Sequence, residues 1–176
     1  LVDFDRLELP KCAKPSNGYH CVSDVSPYMI PGITIGVAWD TGAQGTTISD
    51  HAASKIMRAP KSLPVEQRKA FVNMHRFDPQ YFRGFVKQKQ GIKVDVLGEL
   101  TLGLGEQAEQ PLPVLTARIV KGQADDLLVS MPDLELLGYD HDAKPGYVCL
   151  NAVGIAVPRR TSTVPGSSSN RQSIVK

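Results

Sequence analysis

Apolar and polar side chains alternate along much of the chain from Gly32 onward, and this pattern predicts a structure built mainly from β-strands. Between Ile33 and Trp39 a large apolar residue occupies every second position, and a period of two places alternate side chains on opposite faces of a strand. A hairpin with its turn near residues 89–91 is predicted by the same period. The other predicted strand segments share this alternation or a short apolar run, and they are residues 81–86, 92–96, 100–104, 115–120, 127–129, 147–150 and 153–157.

Two short helices are predicted from their capping residues. Ser49 can cap a helix over residues 50–57. Ser130 and Asp133 have the spacing of a capping box, and Gly138 is expected to end the helix that they open. The apolar residues of the first helix share one face that is expected to be buried. These residues are Ala52, Ala53, Ile56 and Met57.

A third helix is predicted over residues 64–75 as an inserted, partly exposed element. Ser62 and Pro64 are start signals, and Glu66 falls in the first turn. The apolar residues of this segment lie at helical spacing along one stripe, and they are Leu63, Ala70, Phe71 and Met74.

The two ends of the chain differ in composition from its middle. Residues 1–30 contain several prolines and show little periodicity, which predicts an irregular lead-in with room for one short strand. The end of the chain is rich in Ser, Thr, Arg and Asn, so residues 161–176 are predicted to be a disordered tail. Arg159 and Arg160 are interpreted as the start of this solvated tail rather than as a recognition patch. One domain over residues 31–160 remains between the two ends.

Charge and hydropathy exclude two classes of partner. The formal net charge is only +2, and the basic residues are scattered, so nucleic-acid binding by this domain is not expected. No apolar run approaches the roughly 18 residues needed to cross a bilayer, which predicts a soluble chain without a membrane partner. The chain begins with Leu1, so a targeting signal could lie outside it and the location is left open.

Neither the cysteines nor the acidic clusters predict a metal or cofactor. Cys12, Cys21 and Cys149 match no disulfide framework, so reduced thiols are expected. A zinc knuckle built from Cys12, His20 and Cys21 would lack its fourth ligand and the tight spacing. Two small acidic clusters could also suggest a metal, but solvated loops are the simpler interpretation. These clusters are residues 125–126 and 140–142.

Asp40 ends the first alternating strand and is followed by Thr41 and Gly42. Two carboxylates that share one proton can hydrolyse a peptide bond without a metal, because the ionised one takes a proton from water while the other polarises the carbonyl. A threonine hydroxyl can bond to a partner's backbone, and glycine permits a close backbone approach. Such a tripeptide is usually only a turn. Its position between an alternating strand and a capped helix favours a catalytic role.

The segment VAWDTGAQGTTIS at residues 37–49 resembles the active-site segment of the retropepsins, the proteases of retroviruses and long-terminal-repeat retrotransposons. Three further segments resemble parts of these proteases in the same order, over residues 31–160 as a whole. They are residues 91–100, similar to the outgoing flap strand, residues 126–134 with 137–138, similar to the strand and helix behind the active site, and residues 153–158, similar to the last strand.

This resemblance implies a mainly β, retropepsin-like acid-protease barrel of a single lobe with one or two short helices. It also implies a homodimer whose active site lies on the two-fold axis. The sequence contains one Asp-Thr-Gly and no Asp-Ser-Gly, so each subunit would supply one aspartate. The implied catalytic residues are Asp40, Thr41 and Gly42, and the implied substrate-binding residues are Ala43 and the flap tip at Lys89, Gln90 and Gly91.

The activity that the resemblance implies is an aspartic endopeptidase that processes a retroelement polyprotein, in the cytoplasm or within a virus-like particle. Two residues depart from the family. Trp39 is larger than the residue usual before the aspartate. It is interpreted either as a core aromatic or as a residue that reshapes the floor of the dimer. Ser130 replaces a frequent glycine beneath the site. These departures leave a non-catalytic dimerisation or binding module as the alternative, and a host protein that has recruited the domain as a third.

Overall fold

A computed structural model of the chain describes residues 21–59, 63–82 and 92–160. The described residues form twelve strands, two α-helices and one 3-10 turn, so the prediction of a mainly β fold is confirmed. The strands in chain order are β1 (Cys21–Pro27), β2 (Ile35–Trp39), β3 (Thr47–Ser49), β4 (Phe71–Phe82), β5 (Ile92–Leu100), β6 (Leu102–Leu104), β7 (Gln110–Pro111), β8 (Leu115–Val120), β9 (Leu127–Val129), β10 (Tyr139–Asp140), β11 (Tyr147–Leu150) and β12 (Ile155–Pro158).

Nine of these strands form one sheet in the order β4-β5-β8-β3-β9-β2-β1-β6-β7, and β10, β11 and β12 form a second, smaller sheet. Strand β9 lies between β2 and β3. It runs parallel to β2, with Trp39 opposite Val129, and antiparallel to β3, with Thr47 opposite Leu128. The connection from β2 to β3 therefore passes over the carboxyl end of β9.

Both faces of β2 are buried. Ile35 and Val37 point into the main hydrophobic core, while Ala38 packs with Val22 and Leu128 in a second, smaller cluster. Burial on both faces is usual for strands at the centre of a sheet with parallel neighbours. The strand that leads to Asp40 is consequently one of the most firmly packed parts of the molecule.

The predicted helix after Ser49 is confirmed as α1, Asp50–Arg58. The Ser49 hydroxyl accepts a hydrogen bond from the Ala52 N–H at 2.9 Å, which satisfies one of the free donors at the helix start. Met57 was expected on the buried face, but its side chain is 55% exposed. At about 100° per residue it lies beyond the edge of the stripe formed by the other three apolar residues.

The helix predicted to stop at Gly138 is confirmed as α2, Met131–Leu137, with Gly138 in the left-handed conformation at φ 65°. The capping box was wrong, because the Ser130 side chain makes no bond to the helix backbone. Its hydroxyl lies close to the side chains of Thr46 and Asp133, which are described with the site. No helix in the described ranges has the length and apolar character needed to span a membrane.

The helix predicted over residues 64–75 is wrong. A single 3-10 turn, Val65–Gln67, is followed by β4, which pairs antiparallel with β5 from Phe71 opposite Leu100. Ala70 and Phe71 are buried at the start of this pairing, whereas Leu63 is half-buried and Met74 is 40% exposed. The strand is interrupted by two register shifts. Pairing with a distant strand here outweighs a local helical pattern, since tertiary contacts routinely override propensity.

Most other predicted strands are confirmed, and residues 115–120, 127–129 and 147–150 match to the residue. The last strand starts at Ile155 rather than at Val153, because Gly154 closes a turn with φ 65°. The predicted segment at residues 83–86 lies outside the described residues.

The short strand allowed for in the N-terminal lead-in is β1, and it pairs with β2 from Cys21 opposite Trp39 to Val25 opposite Ile35. The large sheet therefore begins before residue 31. The predictions for residues 1–20, which include Cys12 and His20, and for the tail at residues 161–176 lie outside the described residues.

The interpretation of Arg159 and Arg160 as the start of a solvated tail is wrong. Arg159 is only 8% exposed, and its Nε donates to the Tyr147 carbonyl at 3.1 Å. Arg160 donates its backbone N–H to the Val22 carbonyl at 2.6 Å and its guanidinium Nε to the Asp24 carboxylate at 3.0 Å. Arg159 is thus bonded to β11, and Arg160 attaches the chain after β12 to β1.

Candidate active site

Asp40 directly follows β2, and its side chain is held within a tight turn. Its backbone N–H donates to the Val129 carbonyl at 3.1 Å, which continues the β2–β9 pairing by one residue. Its Oδ1 accepts the Gly42 N–H at 2.9 Å, and its carbonyl accepts the Ala43 N–H at 3.1 Å. The side chain is only 5% exposed. The turn thus fixes one carboxylate oxygen by a backbone donor.

Asp40 and the three predicted site residues that follow it lie in this one turn, but they differ in exposure. Thr41 and Gly42 are exposed at the apex, whereas Ala43 is fully buried below them. The apex can therefore meet another molecule while the base is packed inside the subunit. The flap residues predicted to bind substrate, Lys89, Gln90 and Gly91, lie outside the described residues.

The start of α2 forms the floor beneath the turn. The Met131 N–H donates to the Ala43 carbonyl at 2.8 Å. The Ser130 N–H donates to the Thr46 Oγ1 at 3.0 Å. The Asp40 N–H donates to the Val129 carbonyl as described above. Residues 129, 130 and 131 of the floor are therefore bonded to residues 40, 46 and 43 of the turn.

Thr46 and Asp133 are site residues that the sequence did not single out. The Thr46 hydroxyl donates to Asp133 Oδ2 in a short hydrogen bond, and the Ser130 Oγ lies 3.2 Å from Thr46 Oγ1 and 3.4 Å from Asp133 Oδ2. Thr46 and Ser130 are both buried. Ser130, which stands in place of glycine, thus occupies a polar environment that provides partners for its hydroxyl.

Arg118 lies beside this cluster on β8. Its backbone N–H donates to the Thr46 carbonyl at 3.1 Å. Burial lowers the pKa of the Arg118 guanidinium, while the negative charge of Asp133 opposes that effect. The guanidinium stays protonated at neutral pH, so it supplies a positive charge next to the Asp133 carboxylate.

Trp39 is a core aromatic, one of the two roles considered for it. Its side chain is 2% exposed, its indole Nε1 donates to the Ser23 Oγ at 2.8 Å, and its ring centroid lies 6.5 Å from that of Tyr139. The large side chain is therefore accommodated within the subunit, below the turn.

The acidic residues considered for a metal bind backbone groups. Asp126 Oδ2 accepts the Gly36 N–H at 2.9 Å, and Asp140 Oδ1 accepts the Asp142 N–H at 2.8 Å. Within the described ranges, no group of three or more His, Cys, Asp or Glu side chains could hold a metal ion. Cys21 and Cys149 are unpaired thiols, as expected for these two of the three cysteines.

The Asp40 turn and the elements around it have the arrangement that the sequence resemblance predicts. A strand that ends on Asp-Thr-Gly, a closing strand beneath the turn and a helix behind it are the features on which the sequence resemblance depends. All three are present, as β2, β9 and α2. The prediction of a mainly β fold with two short helices is confirmed.

Two solved structures are similar to the chain. One is the retroviral protease-like domain of Ddi1 from Leishmania major, with 14% identity, a TM-score of 0.48, and coverage of 83% of this chain and 98% of that chain. The other is a retropepsin-like aspartic protease from Rickettsia conorii, with 15% identity, a TM-score of 0.39, and coverage of 69% and 75%. No family model and no curated protein match the chain.

Proposed function

We propose that the chain is one subunit of an aspartic endopeptidase whose two catalytic carboxylates are Asp40 and its copy in a second chain. The observation that supports this most is the turn itself. A buried carboxylate is fixed by the Gly42 N–H at 2.9 Å, directly below an exposed apex. Fixed polar groups in a packed site stabilise a transition state without reorganisation.

The proposal requires a homodimer. The sequence contains a single Asp-Thr-Gly, whereas the reaction needs two carboxylates at close range. Thr41 is exposed beside Asp40, so its hydroxyl is available to bond to the backbone of a second turn. Two carboxylates so placed cannot both ionise, and the pair keeps one proton over a wide pH interval.

The chemistry follows from that shared proton. The ionised carboxylate accepts a proton from a water molecule as the water oxygen attacks the scissile carbonyl carbon, while the protonated carboxyl donates a hydrogen bond to the carbonyl oxygen. That carboxyl then passes its proton to the carbonyl oxygen, so a tetrahedral diol forms and the dyad holds one proton. As the C–N bond of the diol breaks, the dyad proton passes to the leaving amine and one diol hydroxyl returns its proton to the dyad. The products are a carboxylic acid and an amine, and the dyad again has one proton.

The proposed substrate is an extended peptide segment, bound as an added strand between the turn and the flap tip at Lys89, Gln90 and Gly91. The register of β4 and β5 supports this, since the two strands are paired as far as Phe82 opposite Ile92. A retroelement polyprotein is the proposed source of such segments, as the resemblance implies.

The deciding experiment is turnover of a mixed peptide library at mildly acid pH by the wild type and by Asp40→Asn. We expect the variant to remain a folded dimer and to lose cleavage by about three orders of magnitude or more. A statine-type transition-state mimic should abolish wild-type cleavage. Asp142→Asn is the matched control, because the Asp142 side chain is 84% exposed and lies outside the turn. Cleavage retained by Asp40→Asn would refute the assignment.

The alternative function, a non-catalytic dimerisation or binding module, is an outcome of the same experiment. A folded wild-type dimer that cleaves no peptide in the library would favour it. Trp39 and Ser130 were the reasons to consider this alternative, and both side chains have hydrogen-bond partners within the subunit. Neither residue therefore counts against the protease, and the fixed Asp40 carboxylate is the observation that supports it.

A further inference from the structure

We infer that Asp133 is a positioning residue, which holds the Thr46 hydroxyl and through it fixes the Asp40 turn against the start of α2. Its consequence for catalysis rests on the function proposed above. The observation behind it is a partly buried network of Thr46, Ser130 and Asp133, in which Thr46 is bonded to residues 84 and 87 positions later in the chain.

The network directs the single proton of the Thr46 hydroxyl. That proton goes to Asp133 Oδ2. The lone pairs of the Thr46 oxygen are then free to accept the Ser130 N–H at 3.0 Å. A carboxylate at position 133 accepts only, so it cannot compete as a donor for the same oxygen. Asp133 thus orients the Thr46 hydroxyl so that its oxygen accepts the Ser130 N–H.

Thr46 supplies a side-chain link between the turn and the floor. The neighbouring links, from Asp40 to Val129 and from Met131 to Ala43, are backbone hydrogen bonds that any residue could make. The link from Ser130 to Thr46 depends on a hydroxyl. A substitution of Thr46 can therefore remove this link while the backbone hydrogen bonds on either side of it remain.

Arg118 stabilises the half-buried carboxylate of Asp133 electrostatically. Its positive charge faces Asp133 from β8, and its backbone N–H fixes the Thr46 carbonyl at 3.1 Å. A buried carboxylate is costly unless it is paired or hydrogen-bonded. Thr46 is therefore held from two sides, because α2 binds its hydroxyl and β8 binds its backbone carbonyl.

Amide hydrogen exchange of the full chain tests the positioning directly. Thr46→Val keeps the shape of the side chain and removes the hydroxyl, and we expect the Ser130 amide to exchange about tenfold faster or more. Thr46→Ser restores the hydroxyl and should return the exchange to within about threefold of the wild type. An unchanged Ser130 amide in Thr46→Val would overturn the inference.

Asp133→Ala gives an independent test in case Thr46→Val does not fold. We expect its Ser130 amide to exchange at least about threefold faster than in Glu135→Ala, which alters an exposed residue of the same helix. The Val148 amide in the second sheet serves as a remote reference. Equal acceleration at Ser130 and Val148 would indicate general destabilisation and would count against a positioning role.

Kinetics separate this inference from the proposed function. If the wild type cleaves peptides, Thr46→Val and Asp133→Ala should lower kcat at least about fivefold with KM within about twofold, and Thr46→Ser should retain kcat. A variant with fast Ser130 exchange and an unchanged kcat would refute the catalytic consequence and leave the protease intact. A wild type without activity would refute the proposed function, and the exchange data would still decide the positioning.

Discussion

At the scale of single residues, Trp39 shows how a buried donor next to the site is satisfied. Its indole N–H has the Ser23 hydroxyl as its acceptor at 2.8 Å, and both side chains are buried. A buried donor that loses its partner costs the free energy of its desolvation. Since Trp39 immediately precedes Asp40, this bond also fixes the end of the strand on which the site depends.

Replacing Ser23 by alanine should therefore destabilise the protein. We expect the free energy of unfolding to fall by about 1 to 3 kcal/mol, because the indole N–H stays buried without an acceptor. Urea denaturation followed by tryptophan fluorescence measures the change. Ser26→Ala on the same strand is the control, with an expected change within about 0.5 kcal/mol. Equal effects of the two substitutions would contradict the role given to the Ser23 hydroxyl.

Tyr139 predicts how stability depends on alkaline pH. Burial raises the pKa of its phenol, and the neighbouring Cys21 thiol raises it further, while Arg159 opposes the shift and Asp142 adds to it. In the unfolded chain a tyrosine ionises near pH 10, at about its ordinary pKa. The folded state therefore keeps a proton that the unfolded state releases, so this contribution to stability is complete below about pH 10 and is lost as the pH rises further.

The measurement is the free energy of unfolding at several pH values between about 9 and 11. It should decline more steeply in the wild type than in Tyr139→Phe, which has no phenol to ionise. Tyr81→Phe is the control, because that side chain is 48% exposed. A Tyr139→Phe slope identical to the wild type would show that Tyr139 does not couple folding to pH.

At the scale of elements, β6 depends on the absence of a side chain at Gly103. The strand lies between β1 and β7, with Gly103 opposite Ser26 and Pro111. A Cβ at this position would overlap the carbonyl oxygen of Ala108 and lie 2.8 Å from the carbonyl carbon. Backbone atoms cannot rotate away as a flexible side chain can, so an added methyl group would displace the Ala108 backbone in the connection from β6 to β7.

Gly103→Ala should lower the free energy of unfolding by about 2 kcal/mol or more, through overpacking against the backbone. Gly32→Ala is a matched control, because no atom lies within 4 Å of the position that its Cβ would occupy. That control is expected to change stability by less than about 0.5 kcal/mol. Thermal unfolding of both variants checks the difference, and a Gly103→Ala variant as stable as its control would contradict it.

The elements that the sequence predicted well are those whose cause is local. The cap at Ser49 and the left-handed Gly138 lie within a few residues of the helix ends that they fix. The strand β4 was missed because its cause is not local. Its apolar residues also fit a helical stripe, and only the pairing of Phe71 with Leu100 selects the strand. A single sequence does not display that pairing.

At the scale of the whole molecule, the proposed dyad makes activity depend on concentration. Each chain has one Asp-Thr-Gly, so a dissociated subunit would have half of the catalytic pair. We expect specific activity to fall on dilution below the dimer dissociation constant. Serial dilution with peptide turnover, alongside sedimentation to measure that constant, checks this. Specific activity that stays constant far below the constant would mean that one chain is sufficient.

The site was predictable where it is continuous in sequence and unpredictable where it is assembled from distant segments. Residues 40–43 occur together in one segment, and the structure brings them into one turn. The contact of Thr46 with Asp133 joins positions 87 apart, and no pattern within either segment indicates it. Asp133 was assigned to a local capping box because a short sequence window contains no other partner for it.

The place of β9 in the sheet also bears on when the Asp40 turn can form. The hydrogen bonds described between this turn and the floor join it to residues 129–131 and to Asp133, about 90 positions later in the chain. At roughly 5 to 20 residues per second of synthesis, the ribosome needs several seconds to make that stretch. During this time the nascent chain contains Asp40 without the floor that fixes its turn. In the order of translation, the candidate catalytic group is made early and becomes ordered late.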